Sequence, residues 1–123
     1  MAGAFNFEMA EKIYKILDAA AWADAKRAGV FAGAPVDLKD GYIHFSTAAQ
    51  LRETAARHFA GVTNLVLVAF DAEALGPQLK WEPSRGGALF PHLYAPLDPA
   101  RAVAEDALPL DPDGAHQFPA SLP

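Results

Sequence analysis

The segment Asn64–Asp71 (NLVLVAFD) constrains the fold more than any other part of the chain. Its apolar residues run continuously instead of alternating with polar ones, which is typical of a strand that is covered on both faces. Such a strand needs neighbouring strands beside it and further elements packed above and below the sheet. With 123 residues, the chain is long enough for one domain with its own core.

The N-terminal third of the chain predicts a strand followed by a helix. Lys12–Leu17 (KIYKIL) has the apolar content of a first strand. Asp18 is a predicted N-cap for a helix over Ala19–Ala28, and Gly29 is its predicted stop, because glycine adopts the left-handed conformation easily. The stretch that follows, Val30–Lys39, is interpreted as a connector.

The stretch Asp40–Thr47 (DGYIHFST) combines a turn, a strand and a helix start. Asp40-Gly41 predicts the turn, since glycine can take the positive φ that many turns require. Thr47 and Gln50 have the spacing of a capping box, in which each side chain satisfies a backbone N–H at the start of a helix. We therefore expect a helix to begin here and to end at Gly61.

The strand within this stretch alternates cleanly between two faces. Ile43 and Phe45 are predicted to enter the core. The opposite face carries Tyr42, His44 and Ser46. An ionisable ring at the centre of a short strand makes this the first place to look for a functional site.

Three further strands are predicted in the second half of the chain. They are Leu79–Glu82, Ala88–Leu97 and Ala102–Leu108. The prolines of Ala88–Leu97 place that strand at an edge or a bulge, because proline cannot donate to a central ladder. The order of elements indicates one α+β domain, with helices beside a mostly antiparallel sheet.

The domain is expected to cover residues 12–108. Residues 1–11 are predicted to form a loose N-terminal leader. Residues 109–123, which hold four prolines and a glycine, are predicted to form a weakly ordered C-terminal tail. The chain shows no internal repeat and no linker between domains.

Polar side chains recur on one side of three predicted strands. They are Tyr42, His44 and Ser46, then Glu82, then His92 and Tyr94, with Arg85 in the glycine-rich loop between the last two strands. If these faces converge, they line one cleft that can orient a polar ligand and transfer protons. Arg85 could then close over an anionic ligand.

A structural interpretation of the same residues stays open. A histidine between Ile43 and Phe45 is often a hydrogen-bonded core residue. Glu82 could form a salt bridge with Arg85, and Ser46 could serve a helix cap. Burial of both imidazoles with satisfied partners would favour this interpretation.

Composition and motifs exclude several classes of function. The absence of cysteine excludes disulfides, thiolate metal sites and a cysteine nucleophile. A net charge of −5 signals no basic surface for nucleic acid, although an RNA end could still be held locally. No secretory signal or membrane-spanning stretch is present, so a cytoplasmic protein without membrane contact is expected. His44, His92 and Glu82 could form a two-histidine, one-carboxylate metal set, but no close ligand spacing supports it.

Several motifs together resemble the DUF952 family of uncharacterised bacterial proteins. They are IYKI, Trp22 with Ala25 and Gly29, DGYIHFST with Gln50, LVLVAFD, Trp81-Glu82, and FPHLY with Pro96-Leu97. The resemblance extends from about Lys12 to Val103. It implies a compact relative of the ADP-ribosyltransferase fold, near the RNA 2′-phosphotransferases, with a split antiparallel β-sheet and flanking helices.

The resemblance also implies a ligand and roles for individual residues. It implies an NAD-like pocket for a nucleotide or phosphorylated small molecule, in which His44, His92 and Glu82 would be catalytic. Tyr42, Ser46, Arg85, Tyr94 and Lys15 would bind the ligand. Lys15 stands where family members often carry a histidine, and a lysine cannot accept a hydrogen bond as an imidazole can. An NAD-linked transferase, a non-catalytic binding module and a metal-dependent enzyme therefore remain alternatives, and the sequence fixes neither substrate nor oligomeric state.

Overall fold

Seven strands and three α-helices lie within residues 11–123, the part of the chain that the computed structural model describes. The strands are β1 Lys12–Asp18, β2 Ile43–His44, β3 Ser46–Thr47, β4 Leu65–Asp71, β5 Leu79–Pro83, β6 Leu89–Leu93 and β7 Ala102–Ala107. The helices are α1 Ala19–Ala28, α2 Pro35–Asp40 and α3 Leu51–His58. Short 3₁₀ turns lie between several of them.

The strands form two separate antiparallel sheets. One has four strands in the order β3-β1-β4-β7, and the other has three in the order β2-β6-β5. The chain passes from the three-stranded to the four-stranded sheet at Phe45, between β2 and β3. The protein is thus an α+β domain of antiparallel sheets with few helices, as predicted.

The four-stranded sheet is covered on both faces, which confirms the prediction for its central strand β4. Between the two sheets lies the first core, built from Ile13, Leu17, Trp22, Ala25, Phe31, Ile43, Phe45, Val68, Phe70, Ala72, Leu93 and Leu97. Against the other face lies the second core, built from Tyr14, Ile16, Leu51, Ala55, Leu65, Leu67, Ala69, Leu108 and Leu122. Leu122 shows that the C-terminal segment contributes a buried side chain to the domain.

The local signals around α1 and α3 are confirmed. The Asp18 side chain accepts a hydrogen bond from Ala21 N, and Gly29 closes α1 in the left-handed conformation with φ 79°. Ahead of α3, one half of the predicted capping box is formed: Thr47 N donates to Gln50 Oε1 at 2.9 Å, whereas the Thr47 side chain makes no cap hydrogen bond. That helix ends at His58, earlier than the predicted stop at Gly61.

The interpretation of Val30–Lys39 as a connector is wrong, because the stretch contains most of α2. Pro35 lies in the first turn of this helix, where its missing N–H costs nothing. The Asp37 carboxylate accepts a hydrogen bond from Ala34 N at 2.8 Å, and Gly41 ends the helix with φ 90°. A helix of six residues is too short to show an apolar period, so its caps were the only local signal.

The prediction of an edge or a bulge around Pro91 is also wrong, since β6 is the middle strand of its sheet and its registers with β2 and β5 run without a shift. Phe45 N donates to Pro91 O at 3.0 Å, but proline has no N–H to return to Phe45. The ladder between β2 and β6 therefore stops at the residue where the chain leaves the sheet. This explains why the predicted strand Tyr42–Ser46 is divided into β2 and β3.

Two expectations concern the ends of the chain and the membrane. Most of the predicted leader, residues 1–11, lies outside the described residues. None of the helices formed by residues 11–123 is long and apolar enough to cross a membrane.

Candidate functional site

One face of the three-stranded sheet carries most of the predicted site. The β2–β6 register sets His44 opposite His92, and the β5–β6 register sets Lys80 opposite His92. Directly opposed residues share a face, and alternate residues along a strand return to it. This surface, called the histidine face below, comprises Tyr42, His44, Lys80, Glu82, Phe90, His92 and Tyr94.

His92 is held by a carboxylate on the neighbouring strand. Its Nδ1 lies 2.7 Å from Glu82 Oε1, and the Tyr94 hydroxyl donates to the same oxygen at 2.8 Å. The hydrogen bonds from His92 and Tyr94 lower the pKa of Glu82. The hydrogen bond to Glu82 raises the pKa of Tyr94 to about 12, so the phenol keeps its proton. Glu82 is thus an ionised acceptor between two donors.

His44 is held in the same manner from helix α2. Its Nδ1 lies 2.7 Å from Asp37 Oδ1, and its Nε2 lies 2.9 Å from Asp40 Oδ2. Each ring nitrogen of His44 therefore faces a carboxylate oxygen. The side chain of His44 is 30% exposed, whereas His92 is only 3% exposed. Of the two imidazoles, His44 is the one that a ligand can reach directly.

Below His44, Asp37 and Lys15 form an ion pair inside the first core. Lys15 Nζ lies 3.1 Å from Asp37 Oδ2 and donates to His44 O at 2.8 Å, and the two side chains are 6% and 1% exposed. Burial would raise the pKa of Asp37, but hydrogen bonding from His44 and the charge of Lys15 lower it to about 2. Burial lowers the pKa of Lys15, and Asp37 opposes this shift.

Tyr42 covers the two imidazoles. Its ring is stacked on His92, with centroids 4.1 Å apart and an interplanar angle of 27°, and its centroid lies 4.6 Å from that of His44. Tyr94 lies on its other flank at 5.1 Å. Burial, together with the negative charges of Asp40 and Glu82, raises the pKa of Tyr42. The histidine face therefore has a continuous aromatic layer.

Arg85 and Ser46 form a second group. Arg85 Nη2 donates to Thr54 Oγ1 at 3.1 Å, and Ser46 Oγ lies 3.0 Å from the same hydroxyl. The Arg85 guanidinium also lies over the ring of Phe90, 4.8 Å from its centroid. Phe90 and His92 are two residues apart on β6, so their Cα atoms lie roughly 7 Å apart along the strand.

Residues 16–105 match the family described as "Protein of unknown function (DUF952)". The chain belongs to this family. This chain is 56% identical in sequence to protein CC0527 from Caulobacter crescentus, whose X-ray structure is known. The alignment covers 86% of this chain and 93% of the CC0527 chain, with a TM-score of 0.83. For the solution NMR structure of CC0527, also at 56% identity, the alignment covers 86% of this chain and 91% of the CC0527 chain, with a TM-score of 0.79. No match to a curated protein was found.

The sequence motifs of this DUF952 protein thus bring five predicted site residues to one surface. They are Tyr42, His44, Glu82, His92 and Tyr94. Arg85 does not pair with Glu82; its partners are Thr54 and, at 3.9 Å, Glu53. Lys15 lies in the core between the sheets and reaches the site only through Asp37 and the His44 carbonyl.

Two carboxylates were missed by the sequence reasoning. Asp37 and Asp40 both come from α2, the helix that the sequence was not expected to form. The Ala34-Pro35 start with Asp37 in the first turn was a usable helix signal. The contacts with His44 and Lys15, in contrast, depend on the tertiary fold.

Two other features bear on where a ligand can bind. A cavity of about 510 Å³ is lined by Tyr14, Thr47, Ser121 and neighbouring residues, and it includes no residue of the histidine face. We assign the site by its assembled proton-transfer groups, because cavity size alone carries no chemistry. Among residues 11–123, no three His, Asp or Glu side chains are arranged to hold a metal ion.

Proposed function

We propose that this DUF952 protein binds a nucleotide or another phosphorylated small molecule across the histidine face and acts on it as a transferase. The observation that carries the proposal is the opposed pair of His44 and His92, each with its Nδ1 bound to a carboxylate. Imidazoles that are oriented by carboxylates are suited to proton transfer and to orienting a ligand.

The hydrogen bonds give each group a defined role. With Nδ1 of each imidazole bound to a carboxylate, Nε2 is the nitrogen that remains to meet a ligand, and at His44 it faces the Asp40 carboxylate at 2.9 Å in the free protein. Glu82 is ionised at neutral pH and could stabilise positive charge that develops on a sugar ring. Tyr94 keeps its proton and could donate to a ligand oxygen.

Arg85 supports a phosphorylated ligand. Its guanidinium is oriented by Thr54 and by Phe90, and its side chain is 19% exposed. A guanidinium matches the oxygen pairs of a phosphate group. A ligand that contacts the imidazoles with its sugar could place a phosphate near Arg85, with Ser46 supporting Arg85 through Thr54.

The fit of the site to NAD is incomplete. The family resemblance implies a ligand-gripping residue at Lys15, but Lys15 is 6% exposed and its ammonium group is engaged by Asp37 and His44 O. It cannot hold a ribose on the histidine face without breaking the ion pair. The proposed ligand is therefore the broader class, a nucleotide or a phosphorylated small molecule, and not NAD in particular.

We also propose that the two sheets correspond to the split sheet of the ADP-ribosyltransferase fold. The division of the strands into two antiparallel sheets joined at Phe45 supports this assignment. The fold alone would not specify the reaction, because one fold can host many functions.

The test is an NMR titration of the purified protein with NAD, ADP-ribose and RNA that carries a 2′-phosphate. The expected result is a saturable shift of the His44 and His92 ring signals with at least one of these ligands, and loss of the His92 shift in His44→Ala. His58→Ala is the matched control, because His58 is exposed on α3 away from the face. No shift at either ring with any ligand would rule out the nucleotide proposal.

A second candidate is a non-catalytic binding module, and the burial of His92 favours it. At 3% exposure and with Nδ1 bound to Glu82, His92 meets the criterion for a structural histidine. On this view, His92→Ala lowers the free energy of unfolding and leaves ligand binding at His44 intact. Urea unfolding together with the same NMR titration separates the two functions.

A further inference from the structure

A single three-residue turn lies against both histidines. The carboxylate of Asp40 contacts His44 Nε2 at 2.9 Å, and the ring of Tyr42 stacks on His92 at 4.1 Å. Gly41, between them, has φ 90°, and its N–H donates to Asp37 O at 2.8 Å. The turn thus covers the nitrogen of one imidazole and the ring of the other.

The position of Asp40 is not explained by the stability of the helix. Asp40 is the last residue of α2, and a carboxylate at the C-terminal end of a helix is electrostatically unfavourable. Its side chain is 37% exposed, so water could solvate it in another rotamer. The contact with His44 Nε2 is what its position provides.

We propose that the turn Asp40–Tyr42 stands in for the ligand when the site is free. The Asp40 carboxylate occupies the place of a ligand acceptor oxygen at His44 Nε2, and the Tyr42 ring occupies the place of a planar ligand ring over His92. The inference rests on the proposed function, because it concerns the same face. It narrows the ligand to a molecule in which a planar ring and an acceptor oxygen are joined, as in a nucleoside or a nucleotide.

The stand-in has a measurable consequence for affinity. A ligand that must displace the turn binds only to the open fraction of the protein, and its apparent dissociation constant is the intrinsic constant divided by that fraction. Removing the Asp40 carboxylate or the Tyr42 ring should therefore strengthen the binding of the ligand group that takes its place. An aromatic pair of ordinary strength predicts a gain of roughly two- to tenfold.

The cover itself can be tested without any ligand. Diethyl pyrocarbonate modifies accessible imidazole nitrogens, and peptide mass spectrometry assigns the rate to each histidine. Tyr42→Ala is expected to accelerate modification of His92, and Asp40→Ala that of His44. Tyr42→Phe keeps the ring and should leave the His92 rate unchanged, as should Lys39→Ala for the His44 rate. Rates within about twofold of the wild type in both alanine variants would overturn the inference.

The second arm measures the binding of adenosine, AMP and inorganic phosphate by calorimetry. Tyr42→Ala should strengthen the binding of adenosine and of AMP. Asp40→Ala should strengthen the binding of AMP and, if the acceptor is a phosphate oxygen, the binding of inorganic phosphate as well. Gain with adenosine but not with phosphate in Asp40→Ala would identify a sugar oxygen instead. Weaker AMP binding in both variants would overturn the inference and leave the proposed function standing. No binding of any probe to any form would overturn the proposed function and this ligand class together.

Discussion

Replacing Lys15 with methionine removes the cation of the buried pair while keeping most of its apolar volume. Lys15 and Asp37 are 6% and 1% exposed, and Nζ lies 3.1 Å from the nearer carboxylate oxygen. At an effective dielectric constant of about 20, two unit charges at this distance attract each other by about 5 kcal/mol. Part of this attraction offsets the desolvation of Lys15, so we expect Lys15→Met to lower the free energy of unfolding by about 3 kcal/mol.

The partner substitution completes a double-mutant cycle. Asp37→Asn leaves an ammonium group buried without its counter-ion and should cost about 3–5 kcal/mol. The double variant should lose less than the sum of the single variants, by about 2–3 kcal/mol, because neither charge is then left alone. Urea unfolding followed by the fluorescence of Trp22, which is 2% exposed in the first core, measures all four proteins.

Lys12→Met is the matched control on the same strand. Lys12 pairs with Asp71 at 3.4 Å, but the side chains are 50% and 42% exposed, so the loss should stay below about 1 kcal/mol. The reasoning would be refuted by a loss below about 1 kcal/mol for Lys15→Met, or by single losses that add to within about 0.5 kcal/mol.

Acid, a lost helix cap and a strained turn residue test three further parts of the fold. The folded pKa of Asp37 is about 2, below its ordinary value of 3.8. The stability that this carboxylate gives the fold is therefore complete above pH 3.8 and is lost as the pH falls from 3.8 to about 2. The loss should reach about 2 kcal/mol, and acid unfolding of Asp37→Asn should lack it. Asp18→Ala removes the N-cap bond of α1 and should cost about 1 kcal/mol in urea unfolding, whereas Asp24→Ala, on the exposed side of the same helix, should not. Gly41→Ala meets no atom within 4 Å but must adopt φ 90°, so it should cost about 1 kcal/mol through backbone strain alone.

Local chemistry made several parts of the fold predictable. The caps of α1 at Asp18 and Gly29 need no partner outside the helix, so their residue types were sufficient. The alternation in Tyr42–Phe45 likewise gave the face of each side chain correctly, whereas Ser46, predicted to share the face of His44, lies on β3 of the other sheet beside Thr54. Ile43 and Phe45 are 2% and 3% exposed in the first core, and His44 faces the opposite side.

Other parts depended on contacts that are distant in sequence. Asp37 becomes a site residue only because β1 brings Lys15 beneath it and β2 brings His44 beside it. The local rule that proline avoids a central ladder placed Pro91 at an edge. Pro91 lies instead in a middle strand, because the neighbouring strand β2 leaves the sheet opposite this residue and needs no N–H from it. Arg85 shares no sequence signal with Thr54, 31 residues away, which is the partner that orients it.

The crossing at Phe45 links the stability of the two sheets. Phe45 lies between β2 and β3 and is 3% exposed in the core between the sheets. Neither sheet can therefore unfold without exposing the Phe45 side chain. Cooperative units of this kind exchange their amide hydrogens together, through one common opening. The slowest amides of β4 and of β6 should therefore exchange with the same free energy. Substitutions that stabilise the four-stranded sheet should then also stabilise the histidine face, even when that face has been redesigned to bind a ligand.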